Sequence, residues 1–309
     1  MHMSGSFHVI TGREPFAGVV FVAVAGLFLA ASGCAADPAY RVTFPDAANA
    51  STPPRVPGAV LMVLSAAPRQ TLADGGTRAT GYFLNEFYEP YRTLVDAGHT
   101  VAIATPNGRP AALDPESLDP KYWRDHPEAL AAAQQLVESL PNMRTPLALS
   151  DVLARAEDYQ GIVVPGGQGV MVDLLDDPVV HALLLTFGTS DRPVGLICHA
   201  PAILTRLPPA SNNVFRGRRV AAVSGIEEWY IETFVMGAKA RVRRIGRALD
   251  DGGYRHEASF PGRSGAVRDC NLVTSQNPFS GEAFGRLYLE ALTDWRRGGQ
   301  CIAARDDPR

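Results

Sequence analysis

Gly-Leu-Ile-Cys-His-Ala-Pro-Ala-Ile-Leu, residues 195–204, is the stretch of this chain that decides its fold class. An apolar strand leads into Cys198 and a helix is predicted to begin directly after it, which is the strand–turn–helix arrangement of a nucleophile elbow. Gly195 and Ala200 leave the room that a sharp turn requires. The turn places the thiol at the carboxyl edge of a sheet, where the helix N-terminus would favour the thiolate. The alternative is a buried core cysteine, with His199 capping the helix.

Strand-like and helix-like segments alternate on both sides of this stretch. Leu84 to Ala97 carries apolar residues at helical spacing and ends at Gly98. Strands separated by helices indicate βαβ units and a parallel sheet covered on both faces, so the sequence predicts an α/β protein. Apolar runs predict five such strands, at 59–64, 99–105, 160–164, 193–197 and 219–223.

Two regions depart from this alternation. Residues 111–157 are too long for an ordinary connection, and we expect a helical insertion there, at about 109–158. Near the end, 254–260 and 266–274 predict two short strands around Pro261-Gly262-Arg263, and a final helix is predicted over 280–296. Residues 57–309 are predicted to form one elaborated domain.

The composition excludes several classes of protein. A chain of 309 residues with 46% hydrophobic and 20% charged residues is globular, neither disordered nor a disulfide-knotted miniature. Its 29 Lys and Arg residues against 32 Asp and Glu residues give a net charge of −3. Because no basic surplus is present to neutralise phosphates, we expect no nucleic-acid partner.

The first residues resemble a targeting segment. Phe16 to Ala31 is an uncharged apolar run, short for a bilayer span, and it leads into Ala31-Ser32-Gly33-Cys34. The pattern resembles a bacterial lipoprotein signal, which implies a signal peptide over 1–33, lipidation of Cys34 and a tether over 34–56. It implies a protein anchored by lipid to a membrane, on the extracytoplasmic side, in the bacterial cell envelope. The alternative is an uncleaved anchor or a buried apolar helix.

Three motifs, taken together, resemble one family. They are Cys198-His199-Ala200-Pro201-Ala202, the strand and turn over 163–169, and the segment 80–91 around Glu86 and Pro90. In this order they resemble the ThiJ/PfpI superfamily, relatives of the class I glutamine amidotransferases. The insertion and residues 113–118 resemble its glyoxalase III and heat-inducible chaperone branch. The resemblance implies a flavodoxin-like three-layer sandwich whose glyoxalase reaction needs no metal or organic cofactor.

The resemblance also implies roles for single residues. Glu86 matches the carboxyl group that hydrogen-bonds the nucleophilic thiol, and a carboxyl group must be protonated to donate, so we expect a raised pKa. Gly166 and Gly167 are expected to bring backbone N–H groups close to an oxyanion. The family usually has His where this chain has Gln168, and Gln keeps a pocket contact without a proton-relay role.

An acidic residue that orients His199 is expected in the loop after the fifth strand. We choose Glu228, which lies in the turn before an apolar helix face, and Glu227 and Glu232 remain alternatives. The segment 275–278 matches a further family motif and is interpreted as structural. Cys270 and Cys301 could form a disulfide, but the sequence does not show whether they are close.

The sequence therefore predicts a cysteine-dependent, glyoxalase III-like enzyme that converts 2-oxoaldehydes such as methylglyoxal to 2-hydroxy acids, or a related deglycase or hydrolase. Cys198 would add to the aldehyde carbon, and His199 would move the proton between C1 and C2. The chain is compatible with a homodimer. Two alternatives stay open: a stress-responsive chaperone or redox-sensing binding protein, and a scaffold that binds a metabolite without turnover.

Overall fold

The strands of the protein are given by a computed structural model that describes residues 58–208 and 213–301. In chain order they are β1 (Ala59–Val63), β2 (Arg69–Thr71), β3 (Thr77–Ala79), β4 (Val101–Thr105), β5 (Leu147–Ala148), β6 (Tyr159–Val164), β7 (Val194–Ile197), β8 (Arg219–Ala221), β9 (Arg255–Glu257), β10 (Ala266–Asp269) and β11 (Leu272–Ser275).

Seven of these strands form the central sheet, in the order β10-β11-β7-β6-β1-β4-β5. Adjacent strands of this sheet are parallel, except β10 and β11, which are antiparallel to each other. β1 is buried along its whole length, and its Leu61 lies opposite Ala102 on one side and Ile162 on the other. A continuous apolar run is the pattern of a strand covered on both faces, so the predicted parallel α/β sheet is confirmed.

The helices flank this sheet. Helix α1 begins at Leu84 and runs as predicted, with Pro90 inside it. In chain order the α-helices are α1 (Leu84–Asp96), α2 (Ala129–Ser139), α3 (Pro141–Arg144), α4 (Leu149–Leu153), α5 (Val170–Asp173), α6 (Pro178–Thr189), α7 (Gly225–Tyr230), α8 (Ile245–Asp251) and α9 (Gly281–Arg296). Short 3₁₀ helices cover 106–108, 115–118, 120–123, 156–158, 200–206 and 278–280, and a π-helical turn covers 231–235.

The crossovers produce three layers. The chain passes from β1 to β4 through α1 and from β6 to β7 through α6, in opposite directions along the sheet. Because such crossovers are right-handed, the two helices cover opposite faces. The final helix α9 packs against α1 and against the sheet, where Gly161 and Gly195 leave room for Tyr288. The flavodoxin-like sandwich is therefore confirmed.

Two strand predictions need correction. The predicted fifth strand, β8, does not join the central sheet, because it pairs in parallel with β9 and its Ala221 N–H donates to the Thr274 side chain of β11. Of the two strands predicted around Pro261-Gly262-Arg263, the first contains β9, whereas the second, predicted to run without a break over 266–274, is divided into the antiparallel strands β10 and β11. The chain turns between them at Cys270, whose φ of 61° supplies a left-handed turn without the glycine that usually marks one.

The insertion between β4 and β6 is helical, as expected, and contains α2, α3 and α4. It also adds the two-residue strand β5 to the edge of the sheet, and a β2–β3 hairpin follows β1; the sequence predicted neither. Both are too short for a periodic pattern.

The topology indicates which edge of the sheet can bind a ligand. From β1 the chain goes first to β4 on one side and later to β6 on the other, so the strand order reverses between β1 and β6. Ligands of open α/β sheets bind at the carboxyl ends of strands beside such a switch point. The segments that follow β1, β6 and β7 carry Glu86, Gly166 and Cys198 to this edge.

Candidate active site

Cys198 lies directly after β7, in a left-handed conformation with φ of 58°. Such a backbone is strained for a residue with a side chain and is a frequent feature of functional sites. Two hydrogen bonds hold it: the Cys198 N–H donates to the Ser275 carbonyl at 2.7 Å, and its carbonyl accepts from the Val223 N–H at 3.0 Å. The predicted elbow is therefore formed, with the sulfur-bearing residue only 5% exposed.

Two glycines allow the neighbouring loop to approach the sulfur. A Cβ atom at Gly166 would lie 2.5 Å from the Glu86 Oε2 atom and 2.8 Å from the Cys198 Cβ. Gly167 has φ of 102°, and a Cβ there would lie 2.4 Å from the Gly81 carbonyl oxygen. The turn after β6 therefore needs glycine to close around the thiol, whereas donation by Gly166 and Gly167 to an oxyanion remains a prediction.

Glu86 reaches the thiol from the first turn of α1 and is 2% exposed. Burial raises the pKa of its carboxyl group to about 8, while contacts with the Cys198 thiol and the Gly166 N–H oppose that rise. The charges of Glu89 and Glu227 raise the pKa further. The raised pKa expected from the sequence is present, and it lies close to neutral pH.

The Cys198 thiol itself differs from the sequence-based expectation. Burial raises its pKa well above the ordinary value, and the negative charges of Glu86 and Glu227 raise it further, while the His199 backbone N–H lowers it. The helix that follows is a 3₁₀ segment starting at Ala200 rather than a long α-helix. Its dipole is correspondingly short, so burial decides the direction and the resting group is a thiol.

His199 is held between the sulfur and Gln168. Its Nδ1 atom lies 3.2 Å from the Cys198 Sγ, and its Nε2 atom lies 2.9 Å from the Gln168 Nε2. Burial lowers the pKa of the ring to about 4, and the charge of Arg78 adds to that shift. The imidazole is therefore neutral at physiological pH and is a weak base.

The acid chosen from the sequence does not reach His199. Glu228 is turned away, and its Oε2 atom accepts from the Ile245 N–H at 3.2 Å. The alternative Glu232 is ion-paired with Arg243. In the described ranges, the ring contact made by His199 Nε2 is with the amide of Gln168 and not with a carboxylate. The positions of the three acids along α7 and the π-helical turn gave no sign of which way each side chain points.

Glu227 is the acid of this segment whose charge acts on the Cys198 thiol and raises its pKa. Its carboxylate closes the capping box of α7 with Ser224 and accepts from the Gly262 N–H at 3.0 Å. The amides of Gln276 and Asn277 donate to it at 2.9 and 2.8 Å. Glu227 therefore connects its own loop to the loops at Gly262 and at 276–277. The motif at 275–278 contributes to the structure through these hydrogen bonds.

Buried polar atoms without a partner gather around this cysteine. Six such side-chain atoms occur in the part of the chain that the structure describes, and four of them belong to Glu86, Gln168 and Ser275. The Cys198 thiol and the Gly166 N–H lie close enough to the Glu86 carboxyl group to lower its pKa. Because unsatisfied buried polar groups are costly, their clustering indicates a site shaped to receive a polar ligand.

One neighbour of the site was missed from the sequence, and a second lies in a motif to which the sequence gave a structural role. Arg78 lies on β3 and pairs with the buried Asp114 at 3.7 Å, and its charge acts on His199. The Ser275 carbonyl fixes the Cys198 backbone. Arg78 stands two residues before the motif that begins at Thr80. Its position near His199 depends on the β2–β3 hairpin, which the sequence did not predict. Within 58–208 and 213–301, no group of three or more His, Cys, Asp or Glu side chains is arranged to hold a metal.

Known proteins resemble this chain over most of its length. Protein/nucleic acid deglycase HchA of Pseudomonas aeruginosa (strain UCBPP-PA14) is 30% identical over 267 residues, which cover 81% of this chain and 86% of that protein. The crystal structure of glyoxalase III from Candida albicans is 20% identical, with a TM-score of 0.64 over 76% of this chain and 97% of that one. The Rapid Encystment Protein 24 kDa of Francisella tularensis is 23% identical, with a TM-score of 0.60 over 76% and 99% of the two chains.

The predicted location in the cell envelope is wrong. It depended on the apolar run before Cys34, whereas the matched proteins carry the names of a deglycase and a glyoxalase III and not of envelope lipoproteins. Helices of the described residues are all too short or too polar to cross a bilayer. Cys34, the signal peptide predicted over 1–33 and the tether predicted over 34–56 lie outside the described residues.

The family follows from the fold, the elbow and the comparisons together. The family model of DJ-1/PfpI matches residues 79–291, which include Glu86, the glycine turn after β6, and Cys198 with His199. The resemblance noted in the sequence named the same superfamily. The chain therefore belongs to the DJ-1/PfpI family.

Proposed function

We propose that the protein is a cysteine-dependent enzyme for 2-oxoaldehydes, which converts methylglyoxal to lactate or removes the same carbonyl unit from a glycated amine or thiol. The observation that carries the proposal is the buried Cys198 thiol between Glu86 and His199, in a site with unsatisfied polar atoms. The names of the similar proteins, a deglycase and a glyoxalase III, support the same chemistry. Metal or cofactor chemistry forms no part of the scheme.

Glu86 is the base that takes the proton of the thiol. A general base works best when its pKa lies near the working pH. Glu86 meets this condition with a pKa of about 8, whereas His199, with a pKa of about 4, is too weak to deprotonate a buried thiol. The sequence assigned proton transfer between C1 and C2 to His199. We assign it instead to Glu86.

The first step joins sulfur to the aldehyde. The Cys198 S–H proton moves to the Glu86 carboxylate, the sulfur forms a bond with C1, and the C=O double bond opens. Glu86 then returns its proton to the former aldehyde oxygen, which gives a hemithioacetal with one hydroxyl group. His199 contacts the sulfur during this step, because its Nδ1 atom lies 3.2 Å from Sγ.

The second step moves hydrogen from C1 to C2. Glu86, again a carboxylate, removes the C1 proton while the C2 carbonyl opens to an enediolate oxygen. The proton is then returned to C2, and the C1 hydroxyl proton moves to the C2 oxygen as the C1 carbonyl forms. The product is a thioester of a 2-hydroxy acid, which water hydrolyses to the free acid and the thiol. With a glycated amine or thiol, the Cys198 sulfur bonds to C1 as the bond from C1 to the substrate nitrogen or sulfur breaks. Glu86 passes the Cys198 proton to that leaving group before the rearrangement.

The test compares two substrates on one protein. The wild type and Cys198→Ala are incubated with methylglyoxal and with a methylglyoxal-treated amino acid, and lactate is measured enzymatically. The proposal expects lactate from at least one substrate with the wild type, and none above background with Cys198→Ala. Equal lactate from both proteins would refute it.

A binding role is the second candidate, because α7 and the π-helical turn expose an apolar cluster. Ile226, Trp229 and Phe234 are 62%, 56% and 64% exposed, and the two aromatic rings pack edge to face at 5.6 Å. Exposed apolar clusters mark binding surfaces. Suppression of the aggregation of an unfolding protein, retained in Cys198→Ala and lost in Trp229→Ser, would favour this role.

A further inference from the structure

Gln168 contacts His199 in a way that fixes the proton of the ring. The two nitrogens, Gln168 Nε2 and His199 Nε2, lie 2.9 Å apart, and both residues are buried. An amide nitrogen donates and does not accept, so His199 Nε2 must be the acceptor. A neutral imidazole then carries its one proton on Nδ1, which faces the Cys198 sulfur at 3.2 Å.

The other end of the same amide has no partner. Gln168 is 7% exposed, and its Oε1 atom is buried without a hydrogen bond. A buried amide oxygen in this state costs free energy unless a ligand supplies the donor. Gln168 belongs to the turn that packs against Cys198. Gly166, two residues earlier in the same turn, is so close that a Cβ there would lie 2.8 Å from the Cys198 Cβ.

We propose that Gln168 replaces the acid of a Cys–His–acid triad: its amide nitrogen holds His199 with the ring proton on Nδ1, and its amide oxygen accepts the hydroxyl group that forms when Cys198 adds to an aldehyde. The proposal deepens the proposed function and rests on its covalent step. It makes Gln168 both a positioning residue for His199 and a specificity residue for substrates whose adduct carries a hydroxyl group.

The chemistry of the adduct explains why an acceptor is needed. Addition of the thiol to an aldehyde breaks the C=O double bond, forms the S–C1 bond and leaves the thiol proton on oxygen, so a carbonyl acceptor becomes a hydroxyl donor. The free aldehyde has no donor for Gln168 Oε1, whereas the hemithioacetal has one. The amide therefore stabilises the adduct more than the free substrate, which is the difference that favours reaction.

The first experiment reads the proton on the ring. Nitrogen-15 NMR of the His199 ring is recorded at pH 7.5 in the wild type, Gln168→Glu and Gln168→Leu, with Gln135→Leu on the exposed face of α2 as the control. We expect the proton on Nδ1 in the wild type and the control. In Gln168→Glu, whose carboxylate only accepts, we expect the proton on Nε2. A wild type with the proton on Nε2, or no change in Gln168→Glu, would overturn this half.

The second experiment measures the adduct without turnover. Trimethylacetaldehyde has no neighbouring carbonyl group, so its reaction with Cys198 stops at the hemithioacetal, and its binding is read as protection of Cys198 from iodoacetamide. We expect the protection constant to weaken about tenfold in Gln168→Leu, the loss of one hydrogen bond, and to change little in Gln168→Glu, which keeps an acceptor. Equal protection in the wild type and Gln168→Leu would overturn this half.

The two experiments separate this proposal from the proposed function. A wild type that is protected by the aldehyde but makes no lactate refutes the function and leaves the role of Gln168 standing. A wild type that the aldehyde does not protect refutes the hydroxyl acceptor, and the NMR result still decides the orientation of His199. Circular dichroism confirms folding, and Gln168→Ala, which also lacks the amide oxygen, replaces Gln168→Leu where Gln168→Leu does not fold.

Discussion

Cys198 and Cys270 share a backbone conformation and differ in everything else. Both are non-glycine residues in the left-handed region, with φ of 58° and 61°. They lie at opposite ends of two neighbouring parallel strands: Cys198 follows the carboxyl end of β7, and Cys270 precedes the amino end of β11. One is a free, buried thiol, and the other is bonded to Cys301, with Cα atoms 5.5 Å apart.

The difference indicates that a left-handed backbone alone does not determine the chemistry of a cysteine. At the carboxyl edge, Cys198 meets a carboxyl group with a pKa near 8 and an imidazole, so the strained turn presents sulfur to proton-transfer groups. At the amino edge, the same kind of turn presents Cys270 to a second cysteine, and a covalent bond forms instead. Surroundings brought together by the tertiary fold decide which chemistry follows.

The largest effect is expected from the nucleophile. Cys198→Ala should lower turnover of methylglyoxal at least about a thousandfold, because the covalent step has no substitute for the sulfur. Cys301→Ser, which frees Cys270 and leaves Cys198 in place, should keep most of the activity at 25 °C. Lactate formation measures both. If Cys301→Ser lost activity as severely as Cys198→Ala, the two cysteines would not have the separate roles assigned to them.

Next in size is the disulfide. It closes a loop with a sequence separation of 31 residues. Cys270→Ser should lower the free energy of unfolding by about 3–4 kcal/mol, the cost expected when a loop of this length is opened. Urea unfolding of both proteins measures the change, and dithiothreitol should lower the wild type to the level of the variant. An unchanged midpoint in both cases would contradict a stabilising bond.

The effect of Glu86→Gln should be smaller, at about a hundredfold in turnover, the usual contribution of a general base. In the wild type, activity should rise with pH through about 8, because the carboxyl group becomes the base as it ionises. The variant, which cannot ionise, should lack this rise. Glu89→Gln is the matched control: Glu89 lies one turn further along α1, and burial raises its pKa to about 7. A wild-type rate that falls through pH 8 would reverse the role of Glu86.

The smallest effect on turnover is expected at Glu228, since its carboxyl group bonds to Ile245 and not to His199. Glu228→Gln should leave turnover within about twofold of the wild type. Burial raises the folded pKa of Glu228 from 4.5 to about 7, so the folded protein binds the proton more tightly and loses stability as pH rises through that interval. The urea midpoint should therefore decrease less between pH 4.5 and pH 8 in Glu228→Gln than in the wild type. A large loss of turnover would restore Glu228 as the triad acid.

Most of the central sheet and its two longest helices could be predicted from local sequence patterns. The apolar runs of β1, β4, β6 and β7 and the helical spacing of α1 and α9 were sufficient, because strand and helix patterns are local and repeat over several residues. The placement of Cys198, Glu86 and the glycine turn at one edge of the sheet was also expected, since each lies in a motif beside a predicted strand end, whereas their roles in catalysis stay predictions. β8 was found as a strand but assigned to the wrong sheet.

The contacts between side chains of the site, and the pKa values that follow from them, could not be predicted from the sequence. The partner of His199 is Gln168 rather than Glu228, Cys270 pairs with Cys301, and the chain turns at Cys270 without a glycine. The thiol has a raised rather than a lowered pKa, because burial outweighs the dipole of a short 3₁₀ segment. These outcomes depend on distances between residues far apart in the chain and on the exclusion of water, and no local pattern of residues contains either quantity.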